Sequence, residues 1–163
     1  MDAQTSYFCA ALDAAAEQVK ENIPVFGKEF PLPCTRNGVY STDINTDWTP
    51  GFYTGMCWLA YEATGEDVFR TAALQQVDSF AARLVLNENL DHHDLGFLYT
   101  PSCVAGYQLT GSTAARNAAL EAAARLTKRY QPTGQFLQAW GQIHDRKEYR
   151  LIIDCLLNLP LLW

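Results

Sequence analysis

Apolar side chains recur at helical intervals through most of the chain. Phe8, Leu12, Ala15 and Val19 follow one another at spacings of 4, 3 and 4 residues and predict an amphipathic helix near the start. From Ile23 to Pro50 the rhythm is lost. That stretch holds four of the seven prolines and two glycines, and it predicts a mostly extended connector. "GFYTGMCWLAYEATG", from Gly51, predicts a short helix that is apolar nearly all round and ends at Gly65. Glu66 and Asp67 suit the positive end of a helix dipole and open the next helix, whose stripe is Phe69, Ala73, Val77, Phe80 and Leu84. After "NENLDHHD" comes a second mostly apolar helix, "LGFLYTPSCVAGYQLTG", in which Pro101 should sit in the first turns or mark a kink. Ser112 or Thr113 can cap the Ala-rich helix that follows. "QPTGQFLQAWGQI" reads as extended, and Asp154 stands where it would cap a final helix in "LIIDCLLNLPLLW".

Two kinds of helix therefore alternate, one amphipathic and one apolar on most faces. The second kind needs neighbours on several sides. The alternation is also a repeat. "GFYTG" and "GFLYT" start 45 residues apart, and "YEATGED" and "YQLTGST" start 46 apart. Each unit is an inner helix, a Thr-Gly turn, an outer helix and a long return. A helix-pair repeat of this period predicts an all-α solenoid or a closed α/α toroid, built as a single domain over residues 1–163.

Composition narrows the partners. With 48% hydrophobic and 18% charged residues the chain reads as globular. A formal net charge of −6 argues against a nucleic-acid binder, because no basic stripe is available to replace the counterions on phosphates. The basic run "RLTKRY" reads as a solvated helix face. The N-terminal segment lacks a basic start, and Asp2, Asp13 and Glu17 interrupt its apolar positions, so it does not read as a signal peptide. No apolar run approaches the roughly 18 residues that span a bilayer. Five scattered cysteines with no CxxC read as reduced, buried thiols in a cytoplasmic protein.

In a helix-pair array every inner helix points the same way, so the N-terminal ends of the inner helices gather at one rim. Trp48 precedes the first of them, His93 and Asp94 precede the second, and Asp154 stands at the third. Asp154 reads either as a helix N-cap or as a general acid lodged among apolar neighbours. Ser, Thr or Asn would cap equally well without bringing a charge, which tilts the choice toward chemistry. Asp94 with His93 reads either as a loop cap or as a second carboxylate beside an orienting imidazole. A metal site of the all-α phosphohydrolase kind would need a further histidine well upstream, and the histidines here are His92, His93 and His144. Trp48 and Trp140 are either core residues or platforms for a sugar ring. Gly-rich phosphate loops, GxSxG and metal-spaced Cys/His clusters do not occur in the sequence.

"DWTPGFYTGMCWLAYEATG", "HHDLGFLYTPSCVAGYQLTG", "ARNAALEAA", "GQFLQAWG" and "RLIIDCLLNLPLLW" resemble the unsaturated glucuronyl hydrolases, glycoside hydrolase family 88. The resemblance runs from about residue 40 to the end. It implies an (α/α)6 barrel, of which this chain would supply about the N-terminal half. It implies hydrolysis of lyase-generated oligosaccharides, glycosaminoglycan-derived ones among them, by hydration of a 4,5-unsaturated uronic acid at the non-reducing end. Asp154 would be the acid/base, Asp94 the second essential carboxylate, and His93, Trp48 and Trp140 the sugar contacts, with no metal or other cofactor. It also implies that the chain alone shows little turnover and self-associates through apolar faces that the missing half would cover. Two other readings stay open: an inactive sugar-binding fragment and a helix-repeat interaction module.

Overall fold

The computed structural model describes residues 3–143 and 145–163. His144 lies outside the described residues. Helix α1 runs Ala3–Phe26. A hairpin of β1 (Phe30–Arg36) and β2 (Val39–Asp43) follows. Then come α2 (Pro50–Thr64), α3 (Asp67–Leu86), α4 (Leu95–Tyr99), a π-helical segment Thr100–Val104, α5 (Ala105–Thr110) and α6 (Thr113–Thr127). A small hairpin of β3 (Tyr130–Gln131) and β4 (Phe136–Leu137) leads to α7 (Cys155–Asn158) and a 3-10 turn, Leu159–Leu162.

The architecture is a layered set of helix hairpins, part of an (α/α)6 barrel. The line α2, α4–α5, α7 forms the inner layer, and α3 and α6 pack side by side outside it. The α3 stripe read from the sequence is the seam between the layers: Phe69, Ala73, Val77, Phe80 and Leu84 are all buried. The repeat is real at the level of single hydrogen bonds. Gly65 and Gly111 both adopt left-handed φ angles, 73° and 71°, and each amide N–H donates to a tyrosine carbonyl four residues back at 2.8 Å. Thr64 and Thr110 each donate a hydroxyl to the carbonyl four residues earlier, and each accepts from the amide two residues on.

Inner helices touch main chain to main chain, and glycine permits it. A Cβ at Gly51 would overlap the Phe97 and Leu98 carbonyls of α4. A Cβ at Gly96 would overlap the Asn158 main chain of α7. These two glycines occupy the same place in successive repeats and set the close approach of successive inner helices.

Two local expectations are corrected and one is sharpened. The segment 23–50 is not simply an extended connector: α1 runs on through Pro24, and the rest forms the hairpin, whose turn residues Asn37 and Gly38 have φ of 53° and 76°. Such φ values suit the tight primed turns of hairpins. Pro101 falls early in its helical stretch, at the start of the π segment. It lacks an N–H, and the chain widens around it into the π segment. Helix α2 is apolar nearly all round in sequence, yet Phe52, Met56 and Leu59 are exposed.

Candidate active site

The loop between α3 and α4 carries His92, His93 and Asp94. The His93 amide donates to the Ala139 carbonyl at 2.7 Å, and His92 forms an isolated antiparallel bridge with Trp140. These contacts tie the loop to the segment after β4. Asp94 then occupies the N-cap position of α4, and Asp154 the N-cap position of α7. Neither carboxylate makes a capping hydrogen bond. The local dictate of the sequence, an Asp before a helix, is thus used for placement and not for capping.

Both carboxylates turn toward His93. Its Nε2 lies 3.4 Å from Asp94 Oδ1 and 3.5 Å from Asp154 Oδ1. These are close polar contacts without hydrogen-bond alignment, since Asp154 Oδ1 and His93 Nδ1 have no hydrogen-bond partner among the described residues. His93 is 1% exposed, whereas Asp94 and Asp154 are partly open at 20% and 32%. Burial lowers the His93 pKa below its ordinary value, against the pull of Asp94 and Asp154. A neutral imidazole has one N–H. With Nε2 between two carboxylate oxygens, that N–H belongs on Nε2, a tautomer assigned from the contacts.

The apolar neighbours of Asp154 in sequence are not its neighbours in space. Leu151, Ile153, Leu156 and Leu157 are exposed and do not enclose it. The Asp154 side chain is partly exposed, and its buried Oδ1 approaches the His93 imidazole. Leu161 is buried, while Leu162 and Trp163 are exposed.

The two tryptophans stand at the same rim. Trp48 is 44% exposed and packs on Phe97 and Phe52, with ring centroids 6.0 and 6.1 Å away. Trp140 is 40% exposed, and the Arg150 guanidinium lies 5.6 Å from its ring centroid. Both offer an indole surface next to an inner-helix start.

Sequence reasoning missed three participants. His92 donates Nε2–H to the Asn89 carbonyl at 2.8 Å and brings Nδ1 within 3.3 Å of Asp94 Oδ2. Its signal was present in "DHHD". Asn158 is fully buried, accepts from the Phe97 amide at 2.8 Å and donates to the Asp154 carbonyl at 3.3 Å, so it staples α4 to α7. Arg150 beside Trp140 comes from a loop with no periodic signal. In donor type His93, Asp94 and Asp154 could also hold a cation, for one ligand atom from each lies within 4.8 Å of the others.

No family model matches the chain. Individual proteins do. The unsaturated chondroitin disaccharide hydrolase of Streptococcus pyogenes serotype M1 is 49% identical over 153 residues, 94% of this chain and 38% of that protein. The unsaturated glucuronyl hydrolase of Bacillus sp. (strain GL1) is 46% identical over 142 residues, 86% of this chain and 38% of its own length. A crystal structure of unsaturated glucuronyl hydrolase from Streptococcus agalactiae superposes with a TM-score of 0.90 at 48% identity, covering 93% of this chain and 38% of that one. The chain is a relative of the unsaturated glucuronyl hydrolases. It spans a little over a third of the length of the curated relatives it matches. Another solved structure, an Asp-to-Asn variant of the Streptococcus agalactiae hydrolase complexed with dGlcA-GalNAc6S, matches at a TM-score of 0.77 and 41% identity, over 93% of this chain and 35% of that one.

Proposed function

We propose that this chain carries the acid/base centre of an unsaturated glucuronyl hydrolase, a glycosidase. The substrate is a short lyase-generated oligosaccharide bearing a 4,5-unsaturated uronic acid at its non-reducing end. The observation that carries the reading is the convergence of two uncapped carboxylates on one neutral imidazole at the open rim of the inner helices.

The C4=C5 bond of such a sugar is a vinyl ether, polarised by the ring oxygen. The protonated Asp154 carboxyl gives its proton to C4, and the ring oxygen stabilises the positive charge left at C5. Water adds at C5 and returns a proton to the Asp154 carboxylate, so one group serves as acid and then as base. The hemiketal so formed opens and collapses to release the aglycone. Asp94 and the Nε2–H of His93 hold the water and the ring against Asp154. Trp48 and Trp140 supply flat apolar surface for the sugar. None of these steps asks for a metal or other cofactor.

The test uses a chimera in which this chain replaces the matching segment of the Streptococcus pyogenes relative, assayed on an unsaturated chondroitin disaccharide in D2O. Deuterium should appear at C4 of the released uronic acid as the double-bond absorbance disappears. Release of the aglycone with C4=C5 intact would overturn the proposal.

Two further parts of the reading concern surroundings. Leu151, Ile153 and Leu156 are exposed and, with Phe136, Leu137 and Ile152, line an open apolar cavity of about 680 Å³; Leu157, next in the chain, is exposed as well, and together they make an apolar ledge. Such a surface recruits a second copy when the chain is alone. We place the protein in the cytoplasm. Cys9 and Cys34 are exposed and free, contrary to the expectation of uniformly buried thiols, and this suits a reducing compartment. Burial pushes the Cys57 and Cys103 thiols up to about 12, so they are inert core groups. No helix among the described residues is long and apolar enough to cross a membrane.

A further inference from the structure

Two arginines are among the largest fully enclosed side chains, and neither forms an ion pair with a carboxylate among the described residues. Arg83, near the end of α3, is 1% exposed; Arg129, just beyond α6, is 2% exposed. They stand 46 positions apart, the spacing of the Thr-Gly turns. A buried guanidinium is costly unless its N–H groups are satisfied. All three Arg83 nitrogens donate, mostly to main-chain carbonyls, whereas Arg129 donates from Nε and Nη2 and its buried Nη1 has no hydrogen-bond partner among the described residues.

Arg83 reaches beneath the loop that precedes Trp48. Its Nη1 donates to the Asp47 carbonyl at 2.7 Å and to Asn45 Oδ1 at 2.9 Å, and its Nη2 donates to the Thr46 carbonyl at 3.1 Å. The same guanidinium donates from Nε to the Glu88 carbonyl at 3.0 Å and from Nη2 to the Asn89 carbonyl at 2.8 Å. One side chain thus joins the Trp48 loop to the loop that leads into His93 and Asp94. Arg129 holds a single segment, the one that carries Trp140. Its Nε donates to the Gln138 carbonyl at 2.7 Å and its Nη2 to the Gly141 carbonyl at 3.1 Å, on either side of Trp140. The Gln138 side chain closes the loop by donating to the Trp140 carbonyl at 2.9 Å.

We propose that Arg83 and Arg129 are repeat-related positioning residues: each planar fork fixes one tryptophan loop and so sets the place of its indole beside His93 and Asp94. The planar fork is the reason for arginine. Lysine carries the same charge but cannot serve two or more separated carbonyls in fixed directions. The proposal rests on the sugar-binding reading of Trp48 and Trp140 for its consequence, though not for its geometry.

The test has two arms, run on the 163-residue chain with Arg83→Lys and Arg129→Lys. The first is fluorine NMR of fluorotryptophan-labelled protein, with Trp48→Phe and Trp140→Phe assigning the signals. Arg83→Lys should shift or broaden the Trp48 signal alone, and Arg129→Lys the Trp140 signal alone. The second arm measures the Kd for an unsaturated chondroitin disaccharide, which each variant should weaken by roughly ten- to a hundredfold, as expected when positioning groups slip. Where a lysine variant fails to fold, Asn45→Ala and Gln138→Met loosen the same loops and should give the same signal-specific shifts. Unchanged indole signals in folded variants, or both signals moving in both variants, would overturn the proposal. If the unsubstituted chain does not bind the disaccharide, the proposed function fails in this chain while the first arm still decides the positioning role.

Discussion

Asp94 and Asp154 stand sixty positions apart in the sequence and meet across a single nitrogen, the Nε2 of His93, at 3.4 and 3.5 Å. The meeting is produced by the repeat. Each aspartate begins an inner helix, and Gly96 and Asn158 bring those two helices into main-chain contact. The site is therefore as good as the packing of α4 on α7, which is where the first prediction lies.

Gly96→Ala should separate the two carboxylates without removing any polar group. Its Cβ would overlap the Asn158 main chain, and overpacking of this kind costs about 1–3 kcal/mol. Asn158→Leu should cost a similar amount by leaving the part-buried Phe97 amide without its Asn158 partner. Thermal denaturation checks both; a Gly96→Ala protein with unchanged melting temperature would show that the helices are not in the described contact.

His93 links the site to pH. Its folded pKa is lowered by burial, so the unfolded chain takes up a proton first as pH falls through the ordinary histidine range. Protonation then favours the unfolded state, and the His93 contribution to stability is complete above about pH 6.5 and declines below it. Melting temperature against pH for the unsubstituted chain and for His93→Gln should diverge in slope across that range. Parallel curves would mean that His93 is not held neutral.

Much of this was legible beforehand, and the reasons differ by element. The α3 stripe could be read because burial on a helix repeats every three or four residues, and Phe69 through Leu84 obey that spacing. The hairpin at Phe30–Asp43 was hidden by Pro31 and Pro33, which break the strand pattern and coincide with a register shift between Pro31 and Thr35. Its Asn37-Gly38 turn was a signal that could have been used. That Trp48, His93, Asp94 and Asp154 precede inner helices could be read because the repeat fixes where those helices start. The arginine network could not be found in this way. Arg83 and Arg129 bind main-chain carbonyls, and a carbonyl leaves no trace in the identity of its residue.

Donor type alone would let His93, Asp94 and Asp154 hold a cation, and the proposed chemistry does not use one. Turnover by the chimera should survive exhaustive chelation. Loss of turnover on chelation, restored by a divalent ion, would replace the acid/base account with metal-assisted hydrolysis.

The exposed ledge of Leu151, Ile153, Leu156 and Leu157 predicts association of the isolated chain. Light scattering should show species larger than the monomer, and Leu156→Glu with Leu157→Glu should return them to monomer. A monomer at high concentration without those substitutions would show that the ledge is tolerated in water.

The most direct test is turnover by the chimera carrying Asp154→Asn, measured as loss of the C4=C5 absorbance. Asp154 makes no capping hydrogen bond, so the substitution should leave the melting temperature nearly unchanged. Loss of a general acid–base typically costs about 10²–10⁴ in rate, and a fall of that size is expected here. Normal turnover in a folded Asp154→Asn protein would contradict the account, because the proton that starts the reaction would have to come from another group.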